Sequence, residues 1–190
     1  MMKLRFVTTN KHKFAEVRKI LPVEIEFSPL NPPEVQADSL EEVVDFELDY
    51  LTEKGYDNFF LEDSGLFIDS LKGFPGVYSS FVYKTIGCEG ILKIMEGISS
   101  RKARFECCIG AVINGKRYKI KGICPGEISY KMRGEGGFGF DPIFIPEGYE
   151  RTFAEMSIAE KNEISHRGRA FKKFRDLLLT IREDPSHCGF

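Results

Sequence analysis

The stretch Phe59-Phe60-Leu61-Glu62-Asp63-Ser64-Gly65 decides how this chain is read. Its apolar start predicts a buried strand, expected to stop at two adjacent carboxylates, a hydroxyl and a glycine. In open α/β sheets, ligands bind in the crevice outside the carboxyl ends of the strands. Acids placed there can hold a metal ion or take a proton from water. Asp-Ser-Gly is equally ordinary turn chemistry, with Gly65 supplying a positive φ. From these residues alone, both readings stand.

Toward the N-terminus, Leu4 to Thr8 predicts a strand, and helical periodicity follows through Phe14, Val17, Ile20 and Leu21. Between them lies Thr8-Thr9-Asn10-Lys11-His12-Lys13, where Asn10 is the expected N-cap. Free N–H groups at that helix start, beside Lys11 and Lys13, suit a phosphate, although the Gly-rich GxxxxGK[ST] pattern is missing. An ordinary capped helix with solvated lysines fits as well. Val23 to Phe27 predicts a second strand, and the proline-rich Pro29 to Asp38 a loop carrying Glu34. Ser39-Leu40-Glu41-Glu42 reads as a capping box opening a helix that ends near Gly55.

Toward the C-terminus, Leu66 to Leu71 predicts a separate strand, Lys72 to Gly76 a rigid turn and Ile86 to Met95 a helix. Arg104 to Ile113 and Arg117 to Ile123 flank Asn114-Gly115, a strong hairpin signal. The segment Arg133 to Phe144 is rich in glycine and holds Phe138, Gly139, Phe140 and Asp141. Glycine lets backbone approach a ligand closely, and a phenylalanine ring can stack on a base. Core-packed rings on a hairpin are the alternative. A second capping box, Ser157 to Glu160, precedes Lys161, His166, Arg167 and an amphipathic last helix. No Cys or His near His166 supports a zinc site.

Among 190 residues, 27 are basic and 29 acidic, a net charge of −2, which is no footprint for a nucleic-acid binder. Five cysteines without a CxxC pair read as reduced thiols. No signal peptide or membrane span is expected, and the cytoplasm is the expected location. The length predicts a single domain over residues 1–182, with residues 183–190 as a loose tail.

Taken together, Thr8 to Lys13, Glu62 to Leu66, Gly73 to Gly76, Gly137 to Phe144 and Ser165 to Arg167 resemble the Ham1/inosine triphosphate pyrophosphatase family, its archaeal branch most closely. The resemblance implies an α/β fold with a long, twisted mixed β-sheet, helices on its faces and two lobes around a central cleft, usually as a homodimer. It implies Mg²⁺-dependent hydrolysis of deaminated purine nucleoside triphosphates, such as ITP, dITP and XTP, to the monophosphate and pyrophosphate. By the same resemblance, Thr8, Thr9, Asn10, Lys11, His12 and Lys13 bind the triphosphate. Glu34 and Asp63 hold the metal, with Asp63 the general base. Ser64, Phe138, Gly139, Phe140, Asp141, Lys161, His166 and Arg167 contact substrate.

The chain departs from the pattern in three places. Glu47 falls where many relatives carry lysine, with Lys54 the candidate to compensate. His12 replaces a common glycine, and Phe140 stands for Tyr or Trp while keeping a stacking face. Glu47 keeps open a rival reading, a regulatory protein that binds the nucleotide without turnover. A pyrophosphatase for modified pyrimidines is the third.

Overall fold

The computed structural model describes residues 4–21, 23–33 and 35–183. Chain order is β1 (Leu4–Val7), α1 (Lys11–Val17), β2 (Ile25–Ser28), α2 (Leu40–Glu53), β3 (Phe59–Ile68), β4 (Pro75–Gly76), α3 (Ser79–Thr85) and α4 (Gly87–Ile94). Then follow β5 (Lys102–Ile113), β6 (Lys116–Ile128), β7 (Phe144–Pro146), α5 (Ile158–Ile164) and α6 (His166–Glu183). The fold is α/β, on a mixed seven-stranded sheet of order β2-β1-β3-β5-β6-β7 with β4 added to β3. β1 runs parallel to β2 and β3, and β3, β5, β6 and β7 are antiparallel neighbours.

Most predicted elements are present, and their local chemistry explains them. Asn114 and Gly115 take φ of 49° and 72°, the paired positive values that a two-residue hairpin turn requires. The Ser157–Glu160 capping box closes in both directions. At α2 only half of the expected box forms: Ser39 accepts the Glu42 N–H, whereas Glu42 turns its carboxylate to the Asp38 N–H. β2 starts at Ile25 rather than Val23, and α3 has no counterpart in the sequence reading. Within α3, Val82 is buried while its neighbour Phe81 is solvent-exposed, so the apolar residues trace no single face. Glu183, expected to begin the tail, is the last residue of α6, and the remainder of that tail lies outside the described residues.

β3 departs most from what the sequence predicts. β3 does not stop at the carboxylates; it runs unbroken through Glu62-Asp63-Ser64-Gly65 to Ile68, paired with β5 throughout. Leu66 to Ile68 is therefore the end of one strand, not the start of another. Gly65 is not a turn residue either. A Cβ at this position would overlap the carbonyl oxygen of Gly76, so glycine is needed for β4 to approach. On its other edge, β3 pairs with β1 as far as Leu61 and with β4 from Leu66 onward. Among the described residues, Glu62 to Gly65 thus has no partner strand on that edge. The polar residues fill an interruption in the sheet, at the point where β1 ends and the chain turns into α1.

The buried residues divide around this interruption. Phe6, Phe60, Cys107 and Ile109 pack under Val17 of α1 and Phe171 and Phe174 of α6. The Phe6 and Phe60 rings stack at 4.6 Å, and Phe171 meets both edge-on. Leu61, Cys108 and Val112 pack on the other side, under Val44, Leu48 and Leu51 of α2. A third cluster, around Leu66, Phe105, Phe144 and Phe153, begins past Gly65.

Gly65→Ala is expected to lower unfolding free energy by about 1–3 kcal/mol, the usual penalty for overpacking. Urea denaturation checks this, and a variant as stable as the parent would show that β4 can move aside.

Candidate active site

Three segments converge on the interruption: the loop from β1 into α1, the glycine-rich turn before β7, and the start of α6. In the first loop, Asn10 Oδ1 accepts the N–H groups of His12 and Lys13 at 2.9 and 3.2 Å, and Thr8 Oγ1 accepts the Asn10 N–H. Those two amides, expected to be free for phosphate, are already used by the cap. What the loop offers outward is its side chains, with Thr9, Lys11 and His12 exposed. Lys13 turns inward and fills the open edge of β3. Its Nζ donates to the Glu62 carbonyl oxygen and pairs with Glu62 Oε1, both at 3.2 Å. Burial would lower its pKa, but the negative charges of Glu62 and Asp63 prevail and hold it above the usual lysine value.

Behind this edge lies an enclosed charge network. Glu62 Oε1 accepts from Arg167 Nε at 3.1 Å, while Glu62 Oε2 accepts from Ser64 Oγ at 2.6 Å and Cys107 Sγ at 3.2 Å. Arg167 Nη1 donates to Glu16 Oε2 at 2.7 Å, and Lys161 Nζ bridges Glu16 Oε1 at 2.8 Å and Asp141 Oδ2 at 2.7 Å. Asp141 Oδ2 also takes the Phe138 N–H at 2.8 Å. Three carboxylates thus face three cations, Lys13, Lys161 and Arg167. Despite burial, Arg167 and Lys13 hold the Glu62 carboxyl far below its ordinary value.

Glu16 was not singled out in the sequence. Its signal was positional: three residues after Lys13 and one before the buried Val17, it lies on the inward face of α1. Removing one member of such a network leaves a buried charge unpaired, which typically costs about 3–5 kcal/mol.

Lys13, Ser64, Asp141, Lys161 and Arg167, expected as substrate contacts, lie together in the structure. Each is also engaged in the network. Ser64 Oγ both donates to Glu62 and accepts from Arg167 Nη2 at 3.3 Å. Arg167 uses donors on all three nitrogens, and a guanidinium has five N–H in total, so two remain. His166 is set apart: its buried ring stacks on Phe105 at 4.6 Å, and burial followed by the Arg167 charge holds its pKa well below the ordinary histidine value. Its Nδ1 has no hydrogen-bond partner.

The two phenylalanines of the glycine-rich turn also separate. Phe140 is 3% exposed and meets Tyr83 edge-on, so the stacking face expected of it is enclosed in the core. Phe138 is half-buried, and its ring is the one at the site. Gly137, at φ +70°, leaves no Cβ where the Asp141 carboxylate comes in to anchor Phe138.

Asp63 projects from the opposite face of β3 to Glu62, as the strand alternation demands. It is half-buried, and among the described residues its carboxylate takes one hydrogen bond, from the Ser64 N–H at 2.9 Å. Burial raises its pKa, and the Glu62 charge adds to this against the pull of Lys13. Glu47 of α2 lies on the same side. Burial and then the Asp63 charge push it up to about 7. Lys54, the expected compensator, is exposed at the end of α2 over the Tyr50 ring. Among the described residues, Asp63 and Glu47 are two half-buried carboxylates with no cationic side chain bonded to them, and no group of three or more His, Cys, Asp or Glu side chains is placed to hold a metal ion, so a divalent cation here would need a further oxygen ligand. Glu34, expected as a metal ligand, lies outside the described residues.

A model of the Ham1 family matches residues 4–177. The chain belongs to the Ham1 family. Among curated Ham1-type relatives, the dITP/XTP pyrophosphatase of Pyrococcus horikoshii is 56% identical, covering 93% of this chain and 97% of its own. That of Thermococcus kodakarensis is 52% identical with the same coverage. Among solved structures, a HAM1 protein from Coxiella burnetii is similar with TM-score 0.83 and 31% identity, covering 95% of this chain and all of that one. The Staphylococcus aureus Ham1 protein follows at TM-score 0.81 and 26% identity, covering 94% and 98%. The mixed sheet expected from the Ham1 resemblance is present, and the fold is similar to these solved structures.

Glu47 gives this Ham1 chain a pH signature. Its folded pKa of about 7 exceeds the ordinary 4.5, so the folded state holds the extra proton between these values and loses stability as pH rises through them. In metal-free protein, Glu47→Gln is expected to be more stable than the parent above pH 7, by at most about 3 kcal/mol. The gain should shrink to nothing toward pH 4.5. Urea unfolding at pH 8 and pH 4.5 checks it; equal gains at both would remove the titration as cause.

Proposed function

We propose that this protein hydrolyses deaminated purine nucleoside triphosphates, such as ITP, dITP and XTP, to the monophosphate and pyrophosphate. The observation that carries the reading is the position of Asp63. It is a carboxylate of raised pKa where one edge of β3 lies open between β1 and β4, within reach of the Lys13 charge. Support comes from relatives named dITP/XTP pyrophosphatases that match nearly the whole chain.

In this reading Asp63 orients a water against the α-phosphorus and takes its proton, and pyrophosphate leaves. Lys11 lies on the exposed face of the first loop and Lys13 at the sheet edge, both within the segment that receives the triphosphate. The uncommitted N–H groups of Arg167 meet the 6-keto oxygen of the base. Adenine presents an N6 amino donor there instead, leaving donor against donor unpaired. Asp63 and Glu34 would hold Mg²⁺, with Glu47 close enough to feel the same charge. When bound, the ion neutralises phosphate charge and lowers the pKa of a coordinated water. Its removal by chelation is expected to abolish turnover.

A nucleotide substrate and four buried free thiols, Cys88, Cys107, Cys108 and Cys124, fit the reducing cytoplasm. Among the described residues, no helix is long and apolar enough to cross a membrane. We also infer a homodimer formed through α3 and its two flanking residues, where Tyr78, Phe81 and Ile86 are 44%, 64% and 43% exposed.

The deciding assay incubates the protein with Mg²⁺ and ITP, XTP, GTP, ATP or dUTP, separating pyrophosphate from orthophosphate. Pyrophosphate from ITP and XTP is expected, and its absence would leave the rival, a nucleotide-binding regulator. Asp63→Asn is expected to lower kcat by roughly 10²–10⁴-fold while the fold is kept; surviving turnover would dismiss Asp63 as base. In sedimentation, Phe81→Glu should yield a monomer where the parent is a dimer, and an unchanged mass would move the interface elsewhere.

A further inference from the structure

The His12 imidazole, in the first turn of α1, stacks on the Phe138 ring with centroids 5.6 Å apart and planes 24° from parallel. His12 is exposed and Phe138 half-buried, so the pair stands at the mouth of the site rather than in the core. The two rings are held very differently. Phe138 is a fixed wall: its N–H is bonded to Asp141, and Asp141 to Lys161. Lys161 Nζ and Arg167 Cζ also lie over the ring, 4.7 and 5.3 Å from its centroid. His12 is tied by its backbone, through the Asn10 cap, while its exposed side chain can turn about χ1 without disturbing a buried atom. A fixed ring facing a movable one can grip a third flat ring.

We propose that His12 is a base-stacking residue, the purine entering between its imidazole and the Phe138 ring. This rests on the nucleoside triphosphate reading above. Entry displaces the imidazole by about one ring thickness, ~3.5 Å, and exchanges one aromatic contact for two. The exchange favours the bound state, and a two-ring purine gains more from it than a one-ring pyrimidine. His12 is thereby separated from its neighbours: Lys11 and Lys13 carry charge toward the phosphates, and the residue between them serves the base.

The sequence contains no tryptophan, so His12→Trp carries the sole indole. Its emission is expected to be quenched by ITP and by inosine monophosphate, and left unchanged by inorganic tripolyphosphate. In turnover, His12→Ala should raise KM for ITP about fivefold or more with kcat little changed, the mark of lost uniform binding. It should leave inhibition by tripolyphosphate unaltered, and His12→Phe should restore KM. The proposal is overturned if His12→Ala leaves or lowers KM, or weakens tripolyphosphate equally, which would make His12 a latch or a phosphate contact. If the parent releases no pyrophosphate from ITP, the activity reading fails by itself. The tryptophan arm then decides the clamp alone, and absence of quenching by ITP, or equal quenching by tripolyphosphate, overturns it.

Discussion

Glu62 is a carboxylate placed inside a β-sheet, 7% exposed, and the surrounding structure is arranged so that its charge can stay there. Lys13 reaches it from α1, Arg167 from α6, Cys107 from β5 and Ser64 from two residues along its own strand. An isolated charge in such a place would neutralise or unfold the site. Each cation, once buried, needs partners of its own. Arg167 and Lys161 both require Glu16, and Lys161 also requires Asp141, which in turn holds the Phe138 turn. One buried acid therefore links α1, β3, α5, α6 and the glycine-rich turn through directional bonds. Apolar packing alone would hold these elements together without setting their register.

The same acid shapes the chemistry on the other side of the strand. Alternation places Asp63 and Glu62 on opposite faces, so neighbours in sequence occupy different surroundings. Glu62 has the cations and is driven strongly toward the charged form; Asp63 is hydrogen-bonded to the Ser64 N–H and is driven the other way. Two carboxylates whose environments push their pKa values apart are the usual basis for dividing roles between acids. The division here leaves Glu62 structural and Asp63 available.

Because Lys13, Lys161 and Arg167 are matched by Glu16, Glu62 and Asp141, the cluster carries no surplus positive charge with which to receive a polyphosphate. Beyond it, exposed Lys11 is the further cation of the first loop, and Glu47 adds negative charge on the Asp63 side. This arrangement suits a metal-bridged substrate better than a bare anion.

Much of this was legible in the residues. Asn10 and the Ser157–Glu160 box announce helix starts because capping is a local contest for orphan N–H groups, and Asn114-Gly115 announces its hairpin because few residues tolerate positive φ. The pairing of Lys13, Asp141, Lys161 and Arg167 in one place followed from motif order through the family resemblance, as did the α/β class. Three things were decided only by the tertiary structure. β3 continues through its acids because β5 pairs with it along the whole length, and pairing is a property of two strands. Gly65 is glycine because of Gly76, eleven positions away, not because of its own φ. Glu16, written on an ordinary amphipathic helix, becomes the hub of a buried network because α5 and α6 bring two cations to it. Local stereochemistry can be read from a chain one window at a time, whereas partners distant in sequence meet only when the fold is complete.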